Sequence, residues 1–345
     1  MLPGARLGQM TAPDAPPLRY LTAADVEAAM PPLEERLALA EATLTALVGD
    51  AELPPKIGVH PRPAGSFAHA MPAALRGPDP DGADDLLGIK WIAGFPANRA
   101  SGLAAIHGLV VLADPTTGIP TAILDAGPIT AERTAAISGV AIGRFAPRVE
   151  GSRSRVALLG AGVQARSHLA VLGHFLPGVE VIVFDRHPER AAALVELAGR
   201  TAGVGSARAV GSAREATGAA DVVVTVASFA PPEQRQALTD DWLRPDALVV
   251  AVDYATYVGA SVARNAALFL VDERAQFLAN RDAGSFDGYP DPGATLGEAI
   301  LARTSRPAHG RVLVSHLGVG LADLVFGSAI VRRAATAGLG TDLPR

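Results

Sequence analysis

The chain has 345 residues, 49% hydrophobic and 19% charged, enough to bury a core and to build two domains of ~100 to 200 residues each. Cysteine is absent and the net charge is -5, which excludes a disulfide framework, a thiolate metal site and an electrostatic footprint for nucleic acid or anionic lipid. No apolar run approaches the ~18 to 20 residues of a membrane span and no secretory signal pattern is present, so the expected setting is the cytoplasm and the expected partner a small molecule.

Taken in chain order, the first twenty residues hold several prolines and little periodicity, and read as a loose arm. Thr22 followed by Asp25 has capping-box spacing for a short helix. A second helix is expected with Pro32 in its first turn, Leu33, Leu37, Ala40, Leu44 and Leu47 on one face, and a stop at Gly49. Between 56 and 125 the pattern changes to short β-like runs at 66–71, 88–93, 109–113 and 121–124. Asp114-Pro115-Thr116-Thr117-Gly118 has hairpin-loop chemistry, so an antiparallel sheet is expected. The stretch 129–145 reads as a helix with Thr130 as its N-cap and Arg133 and Thr134 in its first turns.

After a polar link at 150–154, apolar runs at 156–159, 179–184, 222–227, 247–252 and 268–271 alternate with helical stretches, the signature of βαβ units. The expected fold is therefore α/β: a Rossmann-type doubly wound parallel sheet over 151–314 and an α+β domain over 1–150. The segment from about 315 to 345, with glycine-rich 315–320 and a helix over 321–337, is expected to return to the first domain.

Gly160-Ala161-Gly162-Val163-Gln164-Ala165 follows the first of these parallel strands and opens a helix, matching the G-x-G-x-x-A dinucleotide fingerprint. Gly160 makes the tight turn, Gly162 lets the backbone approach a pyrophosphate, and Ala165 allows close helix packing. The backbone of Gly160, Gly162, Val163 and Gln164 is thereby assigned to the cofactor. Asp185 ends the next strand, where a carboxylate accepts hydrogen bonds from ribose hydroxyls. This favours NAD, whereas Arg186 and His187 beside it can pair with a 2'-phosphate, so NADP stays open. Ala227, closing the run 222–227, is placed with the cofactor too.

Of 30 basic side chains only Lys56 and Lys90 are lysines, which marks either places where a compact ammonium or a tunable amine serves better than a guanidinium or two leftovers of a codon bias toward arginine. Asp253 ends the run 247–252 and falls where the nicotinamide half would lie, although a loop-initiating Asp is the plainer reading. Tyr254 and Tyr257 follow it and either line a substrate pocket or fill a domain interface. His60, His69, His107 and His316 show no metal-ligand spacing, so no metal is expected.

These residues sit within a longer pattern: Met71-Pro72-Ala73, Lys90-Trp91, Phe95-Pro96-Ala97-Asn98, Gly102-Leu103, Asp114, Gly118-Ile119-Pro120, Leu124-Asp125, Ile129-Thr130-Ala131-Glu132-Arg133-Thr134-Ala135-Ala136 and the glycine turn. From about residue 20 onward the chain resembles the ornithine cyclodeaminase/mu-crystallin family. The resemblance implies a homodimer whose N-terminal domain supplies substrate binding and dimerisation. It also implies that Lys90 and Arg133 hold the substrate carboxylate, that Asp253 handles the amine proton, and that Thr134 joins the glycine turn around cofactor phosphate. In two places the chain departs from the family. Lys56 stands about fifteen residues before Met71 where an arginine is usual, with Arg62 nearby, and Gly259 stands where the cyclodeaminases carry a glutamate after the catalytic aspartate.

The function expected is an NAD(P)-dependent oxidoreductase acting on a small amino acid or its imine, with Lys90 and Asp253 catalytic and Lys56, Arg133, Lys90 and Tyr254 on the substrate. The alternatives are an ornithine-type cyclodeaminase using NAD catalytically and a binding protein that holds NAD(P)H and a small ligand without turnover.

Overall fold

The computed structural model describes residues 16–149, 153–230 and 232–344, so the arm expected over residues 1–15 and the link at 150–152 lie outside the described residues. The last part of the expected arm is instead a strand, β1 (Leu18–Leu21), whose Leu21 is fully buried. Thr22 then caps α1 (Ala23–Ala28): its hydroxyl accepts from the Asp25 N–H while the Asp25 carboxylate accepts from the Thr22 N–H, the reciprocal box that the spacing predicts. Helix α2 (Leu33–Ala46) begins one residue later than expected, with Pro32 as its N-cap, and buries Ala40, Thr43 and Leu44.

The strands β2 (Ala51–Glu52), β3 (Ile57–Val59), β4 (Phe67–Leu75), β5 (Leu86–Gly94), β6 (Ile106–Ala113) and β7 (Pro120–Asp125) follow. At the β6–β7 turn, Asp114 Oδ1 accepts from the N–H groups of Thr116 and Thr117 at 3.0 and 2.7 Å, the chemistry expected of that loop. Helix α3 (Ala126–Phe145) starts earlier than expected. Its N-cap is Asp125, which accepts from the Gly127 N–H at 2.8 Å, and not Thr130. Pro128 fits the first turn because no amide hydrogen is needed there, so Thr130 lies inside the helix.

The second half runs β8 (Arg155–Leu159), α4 (Val163–Phe175), β9 (Val179–Phe184), α5 (Pro188–Ala198), β10 (Val204–Ala209), α6 (Ala213–Thr217), β11 (Val222–Thr225), β12 (Leu248–Ala251), α7 (Ala260–Arg264), β13 (Leu268–Val271), α8 (Arg274–Asp282), β14 (Ala294–Thr295), α9 (Leu296–Leu301), β15 (Val312–Ser315), α10 (Gly320–Ala337) and β16 (Thr341–Leu343). All its strand pairs except β16 with β1 are parallel, in the order β10-β9-β8-β11-β12-β15-β13-β14. The order reverses between β8 and β11, and a crevice at such a switch point is where doubly wound sheets bind ligands. The central strands are buried on both faces, which explains their continuous Val and Leu runs.

The first sheet has the order β16-β1-β7-β6-β5-β4-β2, with β3 also on β4. One face is covered by α10, which packs on β4, β5 and β6, and by α3. The opposite face carries Ile57, Ala70, Trp91 and Leu109 side by side across β3, β4, β5 and β6, and Ile57, Trp91 and Leu109 are exposed. Among the described residues no helix is long and apolar enough to cross a membrane.

Candidate active site

Lys90 lies on the covered face of β5, beneath α10, and is 1% exposed. A buried ammonium needs a counter-charge, and α10 supplies it in its first turn: Lys90 Nζ lies 2.7 Å from Asp323 Oδ2. Arg133, on α3, donates from Nε to Asp323 Oδ1 at 3.2 Å, so one carboxylate spans two cations from two other elements. The two Nη groups of Arg133 have no protein acceptor among the described residues, leaving the outer edge of the guanidinium open for a carboxylate. Burial pulls the Lys90 ammonium down to about 7 against the opposing pull of Asp323, with the nearby Arg133 lowering it further.

Lys56, just before β3, joins the group from the other side. Its Nζ donates to the Tyr254 hydroxyl at 2.8 Å and to the Leu317 carbonyl, and burial lowers it to about 8. Arg62, the other candidate for this role, is exposed. Tyr254 adopts a left-handed backbone, φ 57°, which a bulky residue takes only when its surroundings hold it there. That turn links Asp253, at the end of β12, with Lys56 on the first domain's side. The Tyr254 ring also stands edge-on to Phe229, 5.0 Å between centroids, and Phe229 in turn lies 6.3 Å from Phe67, so the cations border an aromatic surface.

Asp253 is 2% exposed. It accepts from Thr225 Oγ1 at 2.7 Å and from the Ala227 N–H at 3.2 Å, and burial raises its carboxyl to about 7. Lys90 and Asp253 thus both change charge near neutrality, as acid–base groups must. Ala227, expected beside the cofactor, has its N–H on Asp253.

The glycine turn fits a dinucleotide. Gly160 has φ 109°, and a Cβ there would lie 2.8 Å from the Val226 carbonyl, so only glycine closes the turn. A Cβ on Gly162 would meet nothing within 4 Å, leaving open space at the N-terminus of α4, and Val163 beside it is exposed. Gln164, in the same turn, donates to the Thr130 carbonyl at 3.3 Å, bringing the start of α4 against α3, where Thr134 is buried. Next to the turn, a cavity of about 490 Å³ is lined by Phe184, Asp185, Arg186, Pro188, Ala191, Ala209, Val210 and Gly211. An adenosine half has room there. Asp185 braces the turn itself, accepting from the Ala161 N–H and the His187 N–H at 2.8 Å each, while Arg186 is exposed at the rim.

These features identify a family. A model of the ornithine cyclodeaminase/mu-crystallin family matches residues 20–283. The chain belongs to this family. Among its relatives is the nodulation efficiency protein NfeD of Rhizobium meliloti, 33% identical over 332 residues, covering 94% of this chain and 98% of that one. The mouse ketimine reductase mu-crystallin is 30% identical over 249 residues, 70% of this chain and 74% of that one. Among solved structures, the Thermococcus litoralis Δ1-pyrroline-2-carboxylate reductase in complex with NADH and L-proline superposes with a TM-score of 0.81 at 23% identity, covering 94% of this chain and all of that one.

Gly259, where the family's cyclodeaminases carry glutamate, caps α7. A Cβ there would lie 2.8 Å from the Leu238 carbonyl, so the position is part of the backbone packing and has no room for an acid.

Some of the site escaped the sequence reading. Asp323 is a lone acid in an otherwise apolar stretch of α10, and a fully buried acid of that kind signals a buried cation. A second buried group consists of His168, Ser138 and His316: His168 Nδ1 contacts the Gln164 carbonyl at 2.6 Å, and Ser138 Oγ lies 2.8 Å from both His168 Nε2 and His316 Nε2. Burial lowers His168 to about 4, so it is neutral. Its Nδ1 carries the proton that the carbonyl accepts, and Ser138 donates to its Nε2. Among the described residues no His, Asp or Glu group has a metal-binding arrangement.

Proposed function

We propose that the protein is an NAD(P)-dependent oxidoreductase that interconverts a small α-amino acid and its imine, an amino-acid dehydrogenase in one direction and an imine reductase in the other. The observation that carries this reading is the charge balance of the site. Lys56, Lys90 and Arg133 face two buried carboxylates, Asp323 and Asp272, so one positive charge is in excess when both lysines are protonated and both carboxylates ionised. One substrate carboxylate neutralises it. Arg133 binds that carboxylate through its open Nη edge, and Lys90 and Lys56 add point charges. Asp253, protonated below about 7, delivers a proton to the substrate nitrogen in reduction and removes it in oxidation. The hydride exchanged at the substrate Cα would be the chemistry that a nicotinamide supplies when bound. The glycine turn, Thr134, Asp185 and Arg186 are the residues that would hold the dinucleotide, with Asp185 favouring NAD.

Phe67, Phe229, Tyr254 and Gly259 carry no carboxylate to pair with a cationic side-chain amine, which disfavours ornithine cyclodeamination. Two copies of the chain pairing through the bare face around Trp91 and Leu109 would cover its apolar side chains, and we assign the homodimer to that face. NADH consumption with small cyclic imino acids, and with 2-oxo acids plus ammonium or methylamine, tests the reading. Proline and ammonia from L-ornithine without net change in NADH would replace it by cyclodeamination, and silence in both assays would leave the binding protein.

A further inference from the structure

Two of the substrate cations, Lys56 and Arg133, share a single loop, 316–319, between β15 and α10. Lys56 Nζ donates to the Leu317 carbonyl. Arg133 lies flat on the next residue: a Cβ on Gly318 would fall 2.4 Å from Nη1 and 2.7 Å from Nη2. Gly318 has φ 79°, a conformation that glycine takes without strain, so the loop is shaped as a floor under the guanidinium.

That floor is gripped from below. Asp272, fully buried at the end of β13, accepts from the Gly318 N–H through Oδ2 at 2.6 Å and from the Glu273 N–H through Oδ1 at 2.9 Å. Gln276, 2% exposed in the first turn of α8, donates from Nε2 to the Gly318 carbonyl at 3.0 Å. Both backbone polar groups of Gly318 are thus fixed by side chains. Neither Asp272 nor Gln276 hydrogen-bonds Lys56 or Arg133, and neither has a part in proton or hydride transfer. The pairing of β13 with β15, Val271 opposite Ser315, sets the register that brings the grip under the loop.

We infer that Asp272 and Gln276 are positioning residues for substrate-carboxylate recognition: by clamping Gly318 they set the separation and direction of the Arg133 Nη edge and of Lys56. This rests on the reading of these cations as the carboxylate anchor. A clamp of this kind affects substrates that carry the carboxylate and spares those that lack it.

The test compares wild type with Gln276→Leu, which keeps volume and removes the donor, and with Asp272→Glu, which keeps the charge and displaces the grip on Gly318 by one methylene. Two substrates are used with NADH, 1-pyrroline-2-carboxylate and carboxylate-free 1-pyrroline. For the first, KM is expected to rise about 10-fold with kcat within about twofold, a KM effect that marks lost binding shared by ground and transition states. For the second, kcat/KM should change by less than about twofold. The dissociation constant of pyrrole-2-carboxylate, measured by calorimetry on the NADH-loaded protein, should rise by the same factor as KM, with NADH affinity unchanged. Equal losses for both substrates, or loss of NADH affinity, would show a merely structural role and overturn the inference. If wild type reduces neither imine, the proposed function fails. The calorimetric arm then still decides the clamp, because unchanged or absent pyrrole-2-carboxylate binding in wild type and variants alike would overturn it.

Discussion

Replacing Asp323 by Asn probes the buried charge group directly. In the native protein one carboxylate, 0% exposed, compensates Lys90 at 2.7 Å and Arg133 at 3.2 Å, leaving a net charge of +1 among the three side chains. With Lys90 protonated the amide would leave +2 in the same volume, so Lys90 sheds its proton and Arg133 keeps its charge without a counter-ion. Removing one partner of a buried pair costs about 3–5 kcal/mol, because the remaining charge stays desolvated. At about 2 °C per kcal/mol for a large chain, the melting temperature should fall by roughly 6–10 °C. Lys90 loses the group that holds its ammonium up, so its value moves below about 7 and it is neutral at pH 7. Binding of a substrate carboxylate should therefore weaken and should fade at lower pH than in wild type. The double variant Lys90→Met, Asp323→Asn removes the buried amine left without its partner and should recover part of the melting temperature while remaining inactive. Thermal melts by circular dichroism and pH-dependent calorimetry of pyrrole-2-carboxylate read both effects. A melting temperature within 2 °C of wild type for the single variant, or a double variant no more stable than the single, would refute the electrostatic reasoning.

Asp253 should govern the pH profile. Its carboxyl is raised to about 7, so imine reduction, which needs the protonated form, declines as pH rises through 7, and amino-acid oxidation gains over the same interval. Asp253→Asn should lower turnover about 10²- to 10⁴-fold with NADH affinity retained, and stopped-flow rates from pH 5 to 9 read both statements. Lys90→Arg should be as inactive as Lys90→Met in steady-state NADH assays, because a longer planar cation does not fit a site where the side chain is 1% exposed; near-normal rates would show that charge alone matters. Fluorescence titration should find NADH bound more tightly than NADPH, and Asp185→Ser should narrow the gap. A wild-type preference for NADPH would hand the 2'-phosphate to Arg186.

The sequence made the parallel sheet legible because its central strands are buried on both faces and appear as unbroken apolar runs. The edge strand β10 was not, since its face exposes Gly205, Ser206 and Arg208-side polar positions and the apolar signal thins out. Strand β15 was hidden by the glycine-rich turn it feeds. The cofactor turn was readable since spacing alone encodes it. Lys90, Lys56 and Asp253 were readable because rarity or position at a strand end set them apart, with family resemblance naming Arg133. Asp323, Asp272 and Gln276 were not, because their roles come from contacts between residues far apart in the chain: Lys90 and Asp323 are joined only when α10 folds back over β5. Thr130 has cap chemistry but lies inside the helix, because Asp125, at the end of a strand, performs that task four residues before the expected start.

The most direct measurement is NADH oxidation at pH 6.5 by the purified protein with 1-pyrroline-2-carboxylate, run beside Arg133→Met and Lys90→Met. Saturable oxidation in wild type, with L-proline formed in equal amount to NADH consumed and lost in both variants, is the predicted result. No oxidation with this or any other small imino acid, or undiminished oxidation in the variants, would contradict the assignment of these cations and of the reaction.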